Sequence, residues 1–168
     1  MRILKIRGGA EIRGSVSIGG NKNAALPMIA ALMLTDETVT LRNVPDILDV
    51  RTMLDIAGEL GAEFEFRDHV LQFRCPEVRT TTISEALCSR NRTSILFAAP
   101  LLARCGSAEL YPPGGDVIGR RRLDTHFIGF QKLGARFDFD TGTCFYSVEG
   151  KPLRGCYMLL DEASVTGT

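Results

Sequence analysis

The sequence predicts an α/β (α+β) fold in which an α-β-α-β-β unit is repeated, and three observations predict it. Residues 59–66 (ELGAEFEF) match residues 132–139 (KLGARFDF), which lie 73 positions later. Within each copy the pattern changes from helical runs of alanine and leucine to alternating apolar and polar residues. Leu41 matches Leu110 at an offset of 69, so the second copy carries four extra residues. An insertion in one copy of a repeat is a natural position for a functional loop.

The first copy, about 20–75, contains two helices, a strand and a hairpin. Its first helix begins after Gly19-Gly20-Asn21, and Gly61 fits the C-cap of the second helix. The predicted elements are a helix over 22–34, a strand over 38–41, a helix over 49–60 and a hairpin of 63–66 with 69–73.

The second copy, about 88–150, repeats this order, and a third copy starts at 155–168. The predicted elements of the second copy are a helix over 93–104, a strand over 108–111, a helix over 123–133 and a hairpin of 136–139 with 144–148. In the third copy, 156–160 is a predicted strand, and 161–168 has the small residues of the two earlier helix starts. A helix start without a body buries no apolar face, so we expect an N-terminal piece of a longer protein.

Residues 1–19 precede the repeat and have no counterpart between the two copies. They are predicted to form two short strands around Gly8-Gly9 that belong to another domain of the full-length protein. The remainder, 20–168, is predicted to be one incomplete repeat domain.

The composition excludes several classes of function. Lys+Arg and Asp+Glu both number 20, so no global field draws the chain to nucleic acid or to a membrane surface. No apolar run approaches the roughly 20 residues of a membrane span, and charges interrupt the N-terminus where a signal peptide would be apolar. The five cysteines form no C-x-x-C pair, so we expect reduced, mostly packed thiols in a cytoplasmic protein without a metal site.

Five motifs along the chain carry a family resemblance. In order, they are GGNKNAALP at 19–27, RTSIL at 92–96, PGGDVIG at 113–119, the group Arg121, Asp124 and His126, and DEASV at 161–165. Together they resemble the UDP-N-acetylglucosamine enolpyruvyl transferases, over essentially the whole chain. The resemblance implies an inside-out α/β barrel built from βαβαββ units, of which this chain would hold two complete copies and the start of a third.

The resemblance also implies an enzyme and its reaction. Members transfer the enolpyruvyl group of phosphoenolpyruvate to the 3′-hydroxyl of UDP-N-acetylglucosamine and release phosphate, without a cofactor. This is the first committed step of peptidoglycan precursor synthesis, so cell wall biogenesis, cell shape and cell division would depend on it. The expected partners are these two small molecules and the C-terminal remainder of the enzyme. The chain by itself is expected to be inactive, and its uncovered apolar face could allow self-association.

The resemblance assigns site residues as well. Asp116 would be catalytic, delivering a proton to C3 of phosphoenolpyruvate or assisting product release. The implied substrate-binding residues are Lys22, Asn23, Arg92, Arg121, Arg122, Leu123, Asp124, Thr125, Ser164 and Val165. A lysine at a helix start combines a charge with free N–H groups, and arginine suits bidentate binding of phosphate oxygens. His126 is either a nucleotide contact or a structural residue of its helix.

Two of these positions depart from the common family pattern. Arg122 stands where proline is common, and Asp116 stands where many members carry cysteine. As a general acid, Asp116 would need its pKa raised by desolvation, which nearby arginines would oppose. Fosfomycin alkylates the cysteine thiol of other members. Since a carboxylate is a poorer nucleophile, we expect an enzyme that is insensitive to fosfomycin.

Three alternatives remain open from the sequence. The first is the related transferase that acts on shikimate 3-phosphate, which would be expected to show a Lys-Ser pair where this chain has Lys22-Asn23. The second is a non-catalytic paralogue that binds nucleotide sugars, and the third is an interaction module without a ligand.

Overall fold

A computed structural model describes residues 3–9, 11–115, 123–150 and 152–159, and its architecture is the predicted mixed α/β repeat. The elements of the first copy are α1 (Lys22–Leu32), β1 (Val39–Arg42), α2 (Leu48–Leu60), β2 (Glu63–Arg67) and β3 (Val70–Arg74). The later elements are β4 (Thr82–Ile83), α3 (Glu85–Cys88), a 3₁₀ helix (Arg92–Phe97), α4 (Ala98–Cys105), β5 (Ser107–Leu110), α5 (Asp124–Lys132), β6 (Arg136–Asp140) and β7 (Phe145–Glu149).

The strand registers confirm the repeat and its insertion. One sheet has the order β1-β3-β2 and the other β4-β5-β7-β6, and every pair is antiparallel except β4 with β5. Equivalent rows across the two sheets are Leu41–Leu71–Phe66 and Leu110–Tyr146–Phe139. The offset is therefore 69 at β1/β5 and 73 at β2/β6, which places the four extra residues between β5 and β6.

Capping residues define the first-copy helices. The Asn21 side chain accepts a hydrogen bond from the Ala24 N–H at 3.1 Å, so it satisfies one of the free donors at the start of α1. Gly61 ends α2 with φ of 115°, in the left-handed region that glycine adopts without strain. The buried side chains of α2 lie along one face, as the sequence predicts.

The second copy differs from the prediction in two local features. The single helix predicted over 93–104 starts as a 3₁₀ helix at Arg92 and becomes α-helical at Ala98, because the Asn91 cap bonds the N–H only two residues later. Thr82–Ile83 and Glu85–Cys88 were not predicted as a strand and a helix. The two-residue strand exists through parallel pairing with β5, a contact that local sequence does not reveal.

One hydrophobic core runs through both copies, and polar side chains join them at its edges. The guanidinium of Arg104 donates from Nη1 to the carbonyls of Met33 at 3.0 Å and Cys75 at 2.9 Å, which ties α4 to the first copy. The carboxylate of Glu59 on α2 accepts hydrogen bonds from the N–H and hydroxyl of Ser84. The two copies therefore form one packed body.

Three expectations need correction or stay open. In the described parts of 3–19 and in 152–159 no strand forms, because a ladder needs a partner strand and these residues pair with none. The membership of 1–19 in another domain stays a prediction.

The expectation of mostly packed thiols is wrong, since Cys75 and Cys88 are buried whereas Cys105, Cys144 and Cys156 are exposed. None of the described helices combines the length and apolar character that crossing a membrane requires.

Candidate functional site

Lys22, the first residue of α1, forms an ion pair with the second helix of its own copy. Its Nζ donates to Oδ2 of Asp49 at 2.8 Å, and the two side chains are 51% and 35% exposed. Asp49 lies in the first turn of α2, where a carboxylate is favoured by the helix dipole. The ammonium is thus held at the surface beside the N-terminus of α1.

Arg92 occupies the equivalent position in the second copy, as the first residue of its helical segment. The preceding residue, Asn91, is 6% exposed, and its Oδ1 accepts from the N–H of Thr93 at 3.1 Å and from the hydroxyl of Thr93 at 2.8 Å. Its Nδ2 donates to the main-chain carbonyl of Asp49 at 3.3 Å. Asp49 therefore bonds to the helix starts of both copies.

The two helix starts share one chemical design. Each has an asparagine cap followed by a cation, Asn21-Lys22 in one copy and Asn91-Arg92 in the other. Free N–H groups and the helix dipole make such a position attractive to anions, and the cation adds a full charge. Asp49 thus connects the two helix starts.

The described start of the inserted loop packs against the second helix start. The N–H of Gly114 donates to the carbonyl of Cys88 at 2.9 Å. A Cβ placed on Gly115 would lie 3.4 Å from the backbone nitrogen of Arg92. Burial raises the pKa of the Cys88 thiol, so this thiol stays neutral beneath the site near pH 7.

A cavity of about 660 Å³ opens between α1, the second-copy helix and α5. Most of its lining is apolar, and its polar members include Asn23, Thr93, Thr125 and His126. The structure thus brings two predicted substrate-binding residues, Asn23 and Thr125, to one cavity.

The other residues predicted on α5 lie at its N-terminus. Leu123 and Asp124 are half-buried there, and the Leu123 carbonyl accepts a hydrogen bond from the His126 N–H at 3.0 Å. The remaining predicted site residues, Asp116, Arg121, Arg122, Ser164 and Val165, lie outside the described residues.

Sequence reasoning missed Asp49 and Asn91. Their partners lie 27 and 42 positions away in the chain, and helical or strand periodicity does not reveal contacts of that kind. The available signal was the asparagine that precedes a cation in both copies.

The amino-acid sequence of this chain is similar to one protein family and to relatives that share one name. Residues 6–168 match the family model described as EPSP synthase (3-phosphoshikimate 1-carboxyvinyltransferase). Proteins named UDP-N-acetylglucosamine 1-carboxyvinyltransferase are 49% identical in Treponema denticola, over 97% of this chain and 38% of that protein, and 47% identical in Treponema pallidum, over 100% and 39%. A further protein of that name, from Bradyrhizobium diazoefficiens, is 46% identical over 97% of this chain and 37% of its own length.

Two solved structures share the fold. The enolpyruvyl transferase NikO from Streptomyces tendae superposes with a TM-score of 0.73 at 20% identity, covering 89% of this chain and 32% of that one. EPSP synthase from Acinetobacter baumannii gives 0.68 at 14% identity, covering 92% and 36%. The inside-out fold class implied by the motifs is thereby confirmed, and the chain spans about two fifths of the length of the curated relatives it matches.

Proposed function

Because this chain belongs to the EPSP synthase family of enolpyruvyl transferases, we propose that it forms the N-terminal side of an active site that transfers enolpyruvyl from phosphoenolpyruvate to the 3′-hydroxyl of UDP-N-acetylglucosamine. The observation that carries the proposal is the pair of cationic helix starts, at Lys22 and Arg92, joined through Asp49. The names of the relatives at 46–49% identity support this choice of acceptor.

The chemistry of phosphoenolpyruvate suits two neighbouring cationic positions. This substrate carries a phosphate and a carboxylate, and the phosphate leaves at the end of the reaction. Lys22 supplies a compact point charge, whereas Arg92 supplies a planar fork that binds two oxygens at once. Their role would be to orient the substrate and to stabilise the charge that develops on the leaving phosphate.

The acceptor would lie along the cavity beside these cations. Asn23 and Thr125 are polar members of a mostly apolar wall, a composition that small-molecule sites commonly have. Leu123 and Asp124 at the start of α5 would contact the nucleotide, with Arg121, Arg122, Ser164 and Val165 completing the binding set.

Asp116 is the proposed catalytic residue of the inserted loop, for proton delivery or product release. Its place in the chain directly after Gly115, which approaches Arg92, supports a role beside the phosphate. We further propose a cytoplasmic protein that acts in peptidoglycan precursor synthesis, and so in cell shape and division, and that resists fosfomycin.

The proposal is tested with a chimera in which this chain replaces the matching 38% of the Treponema denticola relative. Phosphate release from phosphoenolpyruvate is measured with UDP-N-acetylglucosamine or with shikimate 3-phosphate as acceptor. We expect turnover with the nucleotide sugar alone. Turnover with shikimate 3-phosphate alone would overturn the proposed acceptor, and none with either would contradict the proposed activity.

A second candidate is the transfer to shikimate 3-phosphate itself, which the description of the family model favours. The Lys22-Asn23 sequence argues against it, since the shikimate enzymes are expected to carry a Lys-Ser pair there.

Calorimetry with UDP-N-acetylglucosamine also tests the non-catalytic paralogue, which would bind this ligand in the chimera and release no phosphate.

A further inference from the structure

Asp49 faces the helix starts of both copies with different atoms. Its carboxylate accepts from Lys22 Nζ at 2.8 Å, and its main-chain carbonyl accepts from Asn91 Nδ2 at 3.3 Å. A side-chain contact and a backbone contact of one residue thus reach two elements that lie far apart in the sequence. Any displacement of the start of α2 would move both contacts together.

Asn91 uses both ends of its amide for this connection. The oxygen caps the 3₁₀ helix that begins with Arg92, through the N–H and hydroxyl of Thr93, and the nitrogen bonds to Asp49. Because the side chain is 6% exposed, these bonds are shielded from competing water. Asn91 therefore fixes the start of the Arg92 helix relative to the residue that holds Lys22.

We propose that Asp49 and Asn91 are positioning residues that set the separation of Lys22 and Arg92, so that both cations address one phosphoenolpyruvate molecule. The inference rests on the proposed function and extends it to two residues that do not themselves contact the substrate. A carboxylate that merely neutralised Lys22 would compete with an anionic ligand. A carboxylate that orients the ammonium would instead improve binding.

These two roles predict opposite signs for the variant Asp49→Asn. Coulomb's law alone predicts tighter phosphoenolpyruvate binding once the negative charge is removed. The positioning role predicts weaker binding, because the Lys22 side chain loses the partner that orders it. The half-exposed pair limits the effect to about threefold to fivefold in Kd.

The isotope-labelled 168-residue chain is titrated with phosphoenolpyruvate at low salt. Binding is measured from the NMR signals of the backbone amides of 21–24 and 92–95. We expect both groups to report one Kd. Asn91→Ser keeps an N-capping hydroxyl but loses the amide that reaches Asp49, and it should weaken binding by about threefold to fivefold. Asp46→Asn is the matched control, since Asp46 lies three residues from Asp49 and pairs with Arg51 instead.

A double-mutant cycle separates positioning from general loss of structure. In a Lys22→Gln background, Asp49→Asn should have no further effect on Kd, because its influence passes through Lys22. Thermal unfolding of each variant verifies that the chain is folded. Tighter binding by Asp49→Asn, an effect of the same size in the Lys22→Gln background, or an equal effect of Asp46→Asn would overturn the inference.

Absence of phosphoenolpyruvate binding by the unaltered chain would overturn it as well. That outcome is distinguishable from failure of the proposed function, because turnover by the chimera is measured separately.

Discussion

In both copies the backbone before the first helix packs closely against the loop that follows a strand, β1 or β5. The glycine that permits this contact lies before the helix in the first copy and in the loop in the second. In the first copy, a Cβ on Gly20 would lie 1.8 Å from the carbonyl oxygen of Asn43, in the loop after β1. In the second copy, a Cβ on Gly114, in the loop after β5, would lie 1.7 Å from the carbonyl oxygen of Ser89. The packing of helix start against loop is thus common to both copies, whereas the residue that permits it is not.

The loops that follow β1 and β5 differ in length. Five residues lie between the end of β1 at Arg42 and the start of α2 at Leu48, whereas thirteen lie between Leu110 and Asp124 in the second copy. The sheets keep their register through this change, so the scaffold tolerates a longer loop in one copy. The functional difference between the copies is therefore expected in that loop.

The largest expected effect concerns the inserted loop of the second copy. In the chimera, Asp116→Cys should convert an enzyme that fosfomycin does not inactivate into one that is inactivated completely with time, because a thiol attacks the epoxide readily. Residual activity after incubation measures it, with the unaltered chimera as control. A covalent adduct on Asp116 itself would contradict the account.

The shared backbone contact should be equally essential in both copies. Gly20→Ala and Gly114→Ala should each lower the free energy of unfolding by at least about 3 kcal/mol, since the added methyl group overlaps a main-chain carbonyl. Urea denaturation measures the loss. Gly58→Ala is the control, because its Cβ would meet a side-chain ring at 3.5 Å and alanine favours a helix. A loss in only one copy would break the equivalence.

The asparagine caps should differ in strength. Asn21→Ala removes the capping bond to the Ala24 N–H at an exposed position and should cost about 1 kcal/mol. Asn91→Ala removes three bonds at a buried position and should cost about 2 kcal/mol. Chemical denaturation compares the pair, and equal losses would argue against the bridging role of Asn91.

The smallest expected effect concerns the pH dependence of the free energy of unfolding, to which the buried thiol of Cys88, before the second helix start, should contribute. Burial raises the pKa of Cys88, so below the unfolded-state value both states keep the proton and stability does not change with pH. Above about pH 8.5 the unfolded chain loses its proton first, so the free energy of unfolding falls. Cys88→Ser should reduce this fall between pH 7.5 and 9.5, and an unchanged slope would exclude the thiol as its source.

Much of the scaffold is predictable from local sequence. A run rich in alanine and leucine predicted α1, helical periodicity predicted α2, the repeat predicted α5, and alternation predicted both hairpins. The strand predicted at 156–160 is not formed in its described part, since alternation cannot supply a neighbouring strand. β4 was not predicted, because its two residues form a strand only through pairing with β5, which local sequence does not reveal.

The site was predictable only where a motif contains its residues. Lys22 and Arg92 belong to contiguous motifs, whereas Asp49 and Asn91 act through hydrogen bonds between distant segments. The meeting of Asn23 and Thr125 at one cavity depends on the packing of α1 against α5 around it.

Variants of the two cations test whether both helix starts serve one reaction. In the chimera, kcat/KM for phosphoenolpyruvate is measured for Lys22→Gln and Arg92→Gln, with Arg42→Gln as a control on the exposed side of β1. We expect a loss of about a hundredfold or more for each of the first two variants and wild-type turnover for the control. Wild-type kcat/KM in either the Lys22 or the Arg92 variant would contradict it.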